Sequence, residues 1–203
     1  MDSFKDVARL TQLYQLNSIN MTKTPVYPGV INPKEILERN IIQIPEDVDI
    51  DKILQPNGID LYLSSVSEID QIGASTEVGD NVKTLHRLGR PLPTTKGRLE
   101  DEYFLLEKNR AYRVETEYNL KLPEDVAACI FVRSTLNRNG VLLGSGLWDS
   151  GYDGMIGSTL YPQVNCRLYP PCRFAQIVFF RAESSRLYDG TYNIKKKTNK
   201  GRV

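Results

Sequence analysis

One polar segment of the chain, RSTLNRNGV, holds residue types that bind anions. Arg133 and Arg138 carry planar guanidinium groups that match phosphate oxygens. Ser134 and Thr135 add hydroxyls and backbone N–H groups directly after the apolar run VAACIFV, where a strand would end. Two interpretations are open at this point. The donors converge on an anion, or the serine, asparagines and glycine form an ordinary solvated turn.

A second segment, GLWDSGYDGMIG, begins six residues after Gly140. Its glycines surround one carboxylate and one aromatic ring, a composition typical of a tight hairpin whose backbone can approach a ligand. From the bend near Gly146, the carboxylate of Asp149 could orient a water molecule. The ring of Tyr152 could stack on a flat ring or a sugar. A hairpin with an Asx-type turn and a half-buried aromatic explains the segment equally well.

The rest of the composition limits the available chemistry. His86 is the one histidine and lies in a polar stretch, so we expect any reaction to run on carboxylates, hydroxyls and arginines. The three cysteines form no C-x-x-C pair, which argues against a disulfide framework and against a zinc site. Lys+Arg 26 against Asp+Glu 25 leave a formal charge of +1, so we expect neither nucleic acid nor an anionic membrane as a partner.

Length and patterning predict a single domain over residues 1–203. A chain of 203 residues is long enough for one sizeable core and short for two. No apolar stretch approaches the length needed to span a bilayer. The segment MDSFKDVARL lacks the basic start and apolar run of a secretory signal. We therefore expect a cytoplasmic protein.

Helices are predicted near the start of the chain. Phe4, Val7 and Leu10 begin a helical spacing of apolar residues that predicts a helix over residues 3–16. The segment NPKEILERN predicts a second helix, with Asn32 as its cap, and DIDKIL predicts a short third helix over 49–54. The first two of these helices would make residues 1–45 a helical extension.

The remaining sequence has the pattern of a β protein. Short alternating runs separated by Gly, Pro, Asn and Asp predict antiparallel strands over residues 56–182, in a sandwich or barrel. Residues 70–100 contain few apolar positions and predict a long loop. Residues 183–203, rich in Gly and Lys, predict a flexible tail that could also close over an anionic ligand.

These segments together resemble a known family. LPEDVAACIFVRSTLNRNGV, GLWDSGYDGMIG and RFAQIVFF are similar, in order and spacing, to the second, third and fourth motifs of the dUTPase and dCTP deaminase superfamily. PNGIDLYL is similar to the first motif, and the resemblance covers about residues 56–192. It implies a jelly-roll β barrel, a homotrimer with its sites at the subunit contacts, and Mg²⁺ that travels with a pyrimidine deoxynucleoside triphosphate.

The resemblance also assigns roles to particular residues. Ser134 would grip the phosphates with Arg133 and Arg138, while Asp149 orients a water molecule or a sugar hydroxyl and Tyr152 lies under the deoxyribose. We expect the metal to be held mainly by the triphosphate, with no protein ligand set of its own. The catalytic residues would then be Asp149, Ser134 and Arg138. The wider substrate-binding set would comprise Arg133, Ser134, Thr135, Arg138, Gly146, Asp149, Tyr152, Gln176, Tyr188 and Lys195.

The choice of reaction depends on one position. Deaminases of this family carry a glutamate shortly after the third motif, and the same count along this chain reaches Thr159. A threonine cannot shuttle protons between water, ring nitrogen and ammonia. Hydrolysis of dUTP to dUMP and pyrophosphate needs only an oriented water, a metal and phosphate donors, so it is favoured.

Alternatives remain open. The R-S-x-L-x-R form of the second motif and the tail segment Tyr188–Tyr192 resemble the deaminases, which keeps dCTP deamination, or a bifunctional enzyme, as an alternative. A non-catalytic member that senses nucleotides or binds proteins through residues 1–55 is an alternative of another class. A nucleic-acid-binding barrel is less favoured because the sequence lacks a basic stripe with interleaved aromatics.

Overall fold

The computed structural model describes residues 29–69, 89–96, 101–190 and 192–193. Within them lie three helices: α1 (Pro33–Glu38), α2 (Ile50–Ile53) and α3 (Ser134–Arg138). The strands of the described residues are β1 (Ile42–Gln43), β2 (Leu54–Gln55), β3 (Gly58–Tyr62), β4 (Ser65–Ile69), β5 (Gly89–Pro91), β6 (Thr95–Lys96), β7 (Glu102–Leu106), β8 (Tyr112–Lys121), β9 (Val126–Val132), β10 (Val141–Gly144), β11 (Leu147–Trp148), β12 (Asp153–Pro162), β13 (Cys166–Leu168) and β14 (Arg173–Arg181).

The strands form antiparallel sheets that share one core. In the described residues, one sheet runs β10-β12-β8-β4-β5 with β1 also paired to β8, and a second runs β11-β9-β14-β3-β2. A smaller sheet joins β13, β7 and β6. Buried side chains of both large sheets, such as Tyr118 and Phe179, belong to a single apolar cluster. The predicted mainly β class is confirmed, and the sheets of the described residues stay open instead of closing into a complete barrel.

Two of the predicted helices are present. The side chain of Asn32 accepts a hydrogen bond from the backbone of Lys34 at the start of α1, where Pro33 occupies the first turn. Asp49 caps α2 in the same way, through the backbone N–H of Asp51. The helix predicted over residues 3–16 lies outside the described residues.

Two sequence interpretations differ from the structure. STLNR is a short helix, α3, and not a solvated turn; Asn139 and then Gly140, at φ 77°, end it. The predicted loop over 70–100 contains strand structure, because β5 pairs with β4 and β6 pairs with β7. Short polar strands of this kind have too few apolar positions to show a two-residue period.

A β-bulge interrupts the pairing of β8 with β12. Met155 pairs with Asn119 and Gly157 pairs with Glu115, so Ile156 faces three residues of β8. The hydroxyl of buried Thr116 donates to the Ile156 carbonyl at 3.0 Å and accepts from the Tyr118 N–H at 3.2 Å. The threonine side chain thus supplies partners for backbone groups that regular pairing would otherwise satisfy.

Candidate active site

The turn that carries Asp149 is fixed by backbone hydrogen bonds. The Tyr152 N–H donates to the Asp149 carbonyl at 3.1 Å, and the Gly151 N–H donates to the Leu122 carbonyl at 3.0 Å. Gly151 has φ 87°, and a Cβ there would lie 2.8 Å from the Cβ of Leu187, so both backbone angle and space favour glycine. The sequence therefore places a rigid turn directly beside the carboxylate.

The predicted hairpin around this turn is wrong in one respect. β11, before the turn, pairs with β9 in the second large sheet, while β12, after it, pairs with β8 in the first. The turn therefore connects the two sheets. Strands of either sheet show the same alternation of apolar and polar residues. The local sequence therefore contained no signal that the chain passes from one sheet to the other at this turn.

Asp149 lines a cavity of about 600 Å³ between this turn and the face of β8 and β12. The Asp149 side chain is exposed and forms no salt bridge with any residue that the structure describes. Gly146 is exposed, and a Cβ there would meet no atom within 4 Å; it does not line the cavity. The lining residues are Arg113, Glu115, Leu147, Trp148, Asp149, Tyr152, Met155, Ile156, Gly157, Tyr188 and Tyr192.

Tyr152 forms an aromatic wall of the cavity. It is buried, its hydroxyl donates to the Met155 carbonyl at 2.8 Å, and burial raises the pKa of that hydroxyl. The ring of Tyr188 meets the ring of Tyr152 edge-on, with centroids 5.6 Å apart. The Tyr152 hydroxyl is thereby committed to the protein, which leaves the ring to contribute to the apolar part of the cavity.

The beginning of the predicted tail lies on the same turn. The Tyr188 N–H donates to the Ser150 carbonyl at 2.7 Å, and the hydroxyl of Ser184 lies 2.7 Å from that of Ser150. The Asn193 side chain donates to the Gly151 carbonyl at 3.2 Å. These contacts bring Tyr188, one of the predicted site residues, into the cavity wall. Lys195 lies outside the described residues.

Arg133 and Gln176 belong to a different cluster, around Asp60. The Asp60 side chain is buried; its Oδ2 lies 3.5 Å from Arg133 Nε and 3.2 Å from Arg173 Nη1. Gln176 is the register partner of Asp60 on β14. Burial raises the pKa of Asp60, while the two arginines and Gln176 act in the opposite direction. The carboxylate lies within ionic distance of two guanidinium groups, and Arg173 Nη1 also donates to the Lys52 carbonyl at 2.6 Å.

Ser134, Thr135 and Arg138 project from α3, directly after Arg133. All three are exposed, and the start of the helix is tied to β14 by the Arg133 N–H, which donates to the Phe174 carbonyl at 3.1 Å. Together with the arginines beside Asp60, they form a surface rich in hydrogen-bond donors. The structure therefore places these predicted phosphate-binding residues at one end of β9 in the second large sheet.

One chain does not bring these two groups of residues together. Trp148 pairs with Ala128 near one end of β9, whereas Arg133 follows the other end. At a rise of about 3.3 Å per residue, roughly 20 Å separates Arg133 from the level of Asp149. The carboxylate cavity and the donor cluster lie at opposite ends of the same strand.

Two charged residues of the cavity were absent from the sequence prediction. Arg113 and Glu115 lie on the outer face of β8, opposite Thr159 and Gly157 of β12. The predicted strand AYRVETE shows alternating polar positions, which identify an outer face but not what lies next to it. Asp60 and Arg173 were also missed, although the Gly-Ile-Asp-Leu segment was a signal for the former.

Two further findings bear on function. No helix among the described residues is long and apolar enough to cross a membrane. In the same part of the chain, no three His, Cys, Asp or Glu side chains form a group that could hold a metal ion.

The mainly β fold thus carries a cavity lined by the Asp149 carboxylate and, apart from it, a cluster of arginines and hydroxyls. The chain belongs to the dCTP deaminase-like family, whose model matches residues 32–182. This match contains the cavity turn, the Asp60 cluster and α3.

Individual relatives carry names of two activities. A probable deoxyuridine 5'-triphosphate nucleotidohydrolase of Methanopyrus kandleri is 34% identical over 148 residues, which cover 72% of this chain and 90% of that protein. A dCTP deaminase of Korarchaeum cryptofilum is 34% identical over 102 residues, 48% of this chain and 58% of that protein.

A solved structure shares the fold. The crystal structure of 2'-deoxycytidine 5'-triphosphate deaminase from Agrobacterium tumefaciens superposes with a TM-score of 0.55 at 18% identity, covering 76% of this chain and 48% of that one. This chain thus spans about half the length of that protein.

Proposed function

We propose that this protein hydrolyses dUTP, or a related pyrimidine deoxynucleoside triphosphate, to the monophosphate and pyrophosphate. The observation that carries the proposal is the exposed carboxylate of Asp149, held on a rigid turn at the mouth of a cavity of about 600 Å³. That volume suits a nucleoside. The 34% identity to the probable dUTP nucleotidohydrolase of Methanopyrus kandleri supports the same activity.

The reaction requires an oriented water molecule and hydrogen-bond donors to the phosphate oxygens. Asp149 orients a water molecule so that its oxygen attacks the α-phosphorus, and the carboxylate accepts the proton that the water loses. As the new phosphorus–oxygen bond forms, the bond to the bridging oxygen breaks, and pyrophosphate leaves with that electron pair. Arg133, Arg138 and Ser134 donate hydrogen bonds to the phosphate oxygens, where negative charge develops.

Mg²⁺ fits this arrangement as part of the substrate complex. Mg²⁺ commonly keeps several waters and binds through substrate phosphates and one or two carboxylates. The oxygens of the triphosphate and water molecules would hold the ion, which leaves Asp149 free to orient the attacking water. When bound, the ion supplies positive charge that neutralises phosphate oxygens.

The proposed active site is shared between subunits. Because about 20 Å of β9 separates Arg133 from the level of Asp149 in one chain, a triphosphate held at Asp149 needs donors from another copy. A closed homotrimer, in which each contact joins the cavity of one subunit to the α3 edge of the next, supplies them at every site.

Purified protein incubated with Mg²⁺ and each deoxynucleoside triphosphate in turn tests the proposal. We expect pyrophosphate and dUMP from dUTP. Pyrophosphate from none of the nucleotides would refute it. The same reactions are assayed for ammonia, because release of ammonia from dCTP would instead indicate deamination. Tight triphosphate binding without any product would indicate a non-catalytic member.

A further inference from the structure

We propose that Glu115, paired with Arg113, is a specificity-determining residue that accepts a hydrogen bond from the N3–H of a uracil base. This inference rests on the proposed function, since it concerns the base of the same substrate. It adds a protein side chain that recognises the base edge, in a part of the cavity distinct from Asp149.

Glu115 is the acidic group on the sheet side of the cavity. It lines the cavity that Asp149 lines from the turn side. On the two neighbouring strands its register partners are Ser65 and Gly157, both small residues. The Glu115 side chain therefore has only small residues opposite it on the two adjacent strands, which leaves a recess in the sheet surface beside it.

Gly157 leaves the floor of this recess open. A Cβ at that position would lie 3.3 Å from the Val114 carbonyl oxygen and 3.9 Å from Cγ of Glu115. With glycine there, a planar ring can approach the backbone of β12 while its edge faces the carboxylate. Trp148, Tyr152 and Met155 supply apolar walls, as in ligand pockets that combine apolar surface with a few polar groups.

The carboxylate is oriented but not saturated. Its Oε2 accepts a hydrogen bond from the Ser65 hydroxyl at 3.3 Å, and its Oε1 lies 3.3 Å from Arg113 Nε. The Nε approach does not meet hydrogen-bond geometry, and this buried Nε has no other partner. A carboxylate offers about four acceptor positions, so Glu115 retains acceptors for a ligand.

Glu115 lies directly beside the bulge in β8. Glu115 is the last residue of β8 to pair regularly with β12 before the bulge, which Thr116 fixes through its buried hydroxyl. Bulges near active sites commonly re-aim a side chain. Glu115 and Arg113 are two residues apart in the regular part of β8 and so point to the same face, where each side chain is 42% exposed.

The Glu115 carboxylate, an acceptor, and the Arg113 guanidinium, a donor, together complement one edge of a uracil base. Uracil presents an N3–H donor flanked by two carbonyl oxygens. Glutamate can only accept and arginine can only donate. Glu115 therefore takes the N3–H, and Arg113 takes a neighbouring carbonyl oxygen. Cytosine presents an unprotonated N3 at the same point, which a carboxylate repels.

The test compares dUTP with its N3-methyl derivative, which lacks the N3–H. We expect the wild-type protein to prefer dUTP by about a hundredfold or more in kcat/KM, because the methylated base leaves Glu115 without its hydrogen bond and crowds it. In Glu115→Ala this preference should fall to within about threefold. Glu115→Gln keeps an acceptor oxygen and should retain most of the preference.

Glu117→Ala is the matched control, because Glu117 lies on the same strand but does not line this cavity. It should keep the wild-type preference. Ser65→Ala provides a second variant in case Glu115→Ala does not fold; loss of the orienting hydroxyl should lower the preference by about threefold to tenfold. An unchanged preference in the folded variants would overturn the role of Glu115.

Binding separates this inference from the proposed function. The affinity of each variant for a non-hydrolysable α,β-imido analogue of dUTP and of its N3-methyl form is measured by calorimetry. If wild type hydrolyses dUTP and the Glu115 variants retain its base preference, the role of Glu115 alone fails. If wild type neither binds nor hydrolyses any nucleotide, the proposed function fails.

Discussion

Asp60 forms an ion pair with Arg133: the Oδ2 atom of this buried carboxylate lies 3.5 Å from the Nε atom of Arg133. The same oxygen is 3.2 Å from Nη1 of Arg173. The two guanidinium groups remain about one-third exposed. Asp60 is thus placed to position the arginines while their outer N–H groups stay available to a phosphate.

We predict that Asp60→Asn weakens binding of the triphosphate. The amide has the same size but no charge, so it cannot hold two guanidinium groups in a fixed orientation. KM for dUTP should rise about tenfold, with a smaller fall in kcat. Steady-state kinetics with the purified variant measure both constants.

Asp125→Asn is the control for this prediction. Asp125 also contacts two arginines, Arg39 and Arg181, but these contacts tie α1 to the end of β14. Its KM should equal that of wild type. An Asp60→Asn variant with a wild-type KM would show that Arg133 needs no carboxylate to position it.

The role of Asp149 leads to a separate prediction. Asp149→Asn removes the negative charge that orients water and accepts its proton, but it leaves the shape of the turn, because the turn is held by backbone hydrogen bonds. Turnover should fall by about a hundredfold to a thousandfold, and affinity for the α,β-imido analogue of dUTP should change by less than about threefold.

Asp153→Asn is a control for Asp149, since Asp153 is a near neighbour that does not line the cavity. It should turn over dUTP at the wild-type rate. A fully active Asp149→Asn protein would show that another group orients the water.

The sequence predicted both groups of residues of the candidate site but not the distance between them. RSTLNRNGV and GLWDSGYDGMIG contain the donors and the carboxylate, and residue chemistry alone indicated an anion and a water. Their positions at opposite ends of β9 depend on the antiparallel pairing of β11 with β9. Such pairing is set by long-range register, which a local pattern does not encode.

The surroundings of Glu115 likewise depend on strand pairing that a local sequence pattern does not encode. Glu115 lies in AYRVETE, one of the alternating runs that predict strands, and the structure confirms a strand there. What gives it a recess is the presence of Ser65 and Gly157 on the two adjacent strands, 50 and 42 residues away in the chain. By contrast, the caps of α1 and α2 could be predicted, because capping acts within three or four residues.

The bulge beside Glu115 should depend on the hydroxyl of Thr116. Thr116→Val keeps the size of the side chain but leaves the Ile156 carbonyl and the Tyr118 N–H without their partner in a buried place. We expect a loss of about 1–3 kcal/mol in the free energy of unfolding. Urea denaturation at one fixed protein concentration measures it. Thr116→Ser, which keeps the hydroxyl, should lose less; equal losses would contradict the role of the hydrogen bonds.

Stability should fall in acid partly through Glu68. Hydrogen bonds from Arg90 and Arg110 hold the pKa of Glu68 below its ordinary value of 4.5. A depressed pKa means that these ion pairs stabilise the fold above the unfolded-state pKa, and that the contribution is lost as pH falls through the lower folded-state pKa. Denaturation midpoints measured from pH about 6 down to about 3 should decline less steeply in Glu68→Gln than in wild type.

Asp60 affects the pH dependence of folding stability in the opposite direction from Glu68. Its pKa is raised by burial, so its protonated form is favoured in the fold and its contribution to stability falls as pH rises through that raised pKa. Asp60→Asn should therefore not flatten the acid decline as Glu68→Gln does. Identical acid profiles for wild type and Glu68→Gln would exclude the ion pairs of Glu68 as a cause.

The division of the site between subunits can be tested by complementation. Asp149→Asn and Arg133→Ala each remove one half of the proposed site, so each variant alone should be nearly inactive. Trimers are refolded from an equal mixture of the two variants. If a site takes Asp149 from one chain and Arg133 from another, each of these two residues is intact with a probability of one half. About a quarter of the sites should then be wild type. Turnover of dUTP by the refolded mixture, with mixed trimers verified through two different affinity tags, measures this fraction. If both residues served a site within one chain, the mixture would stay as inactive as the separate variants.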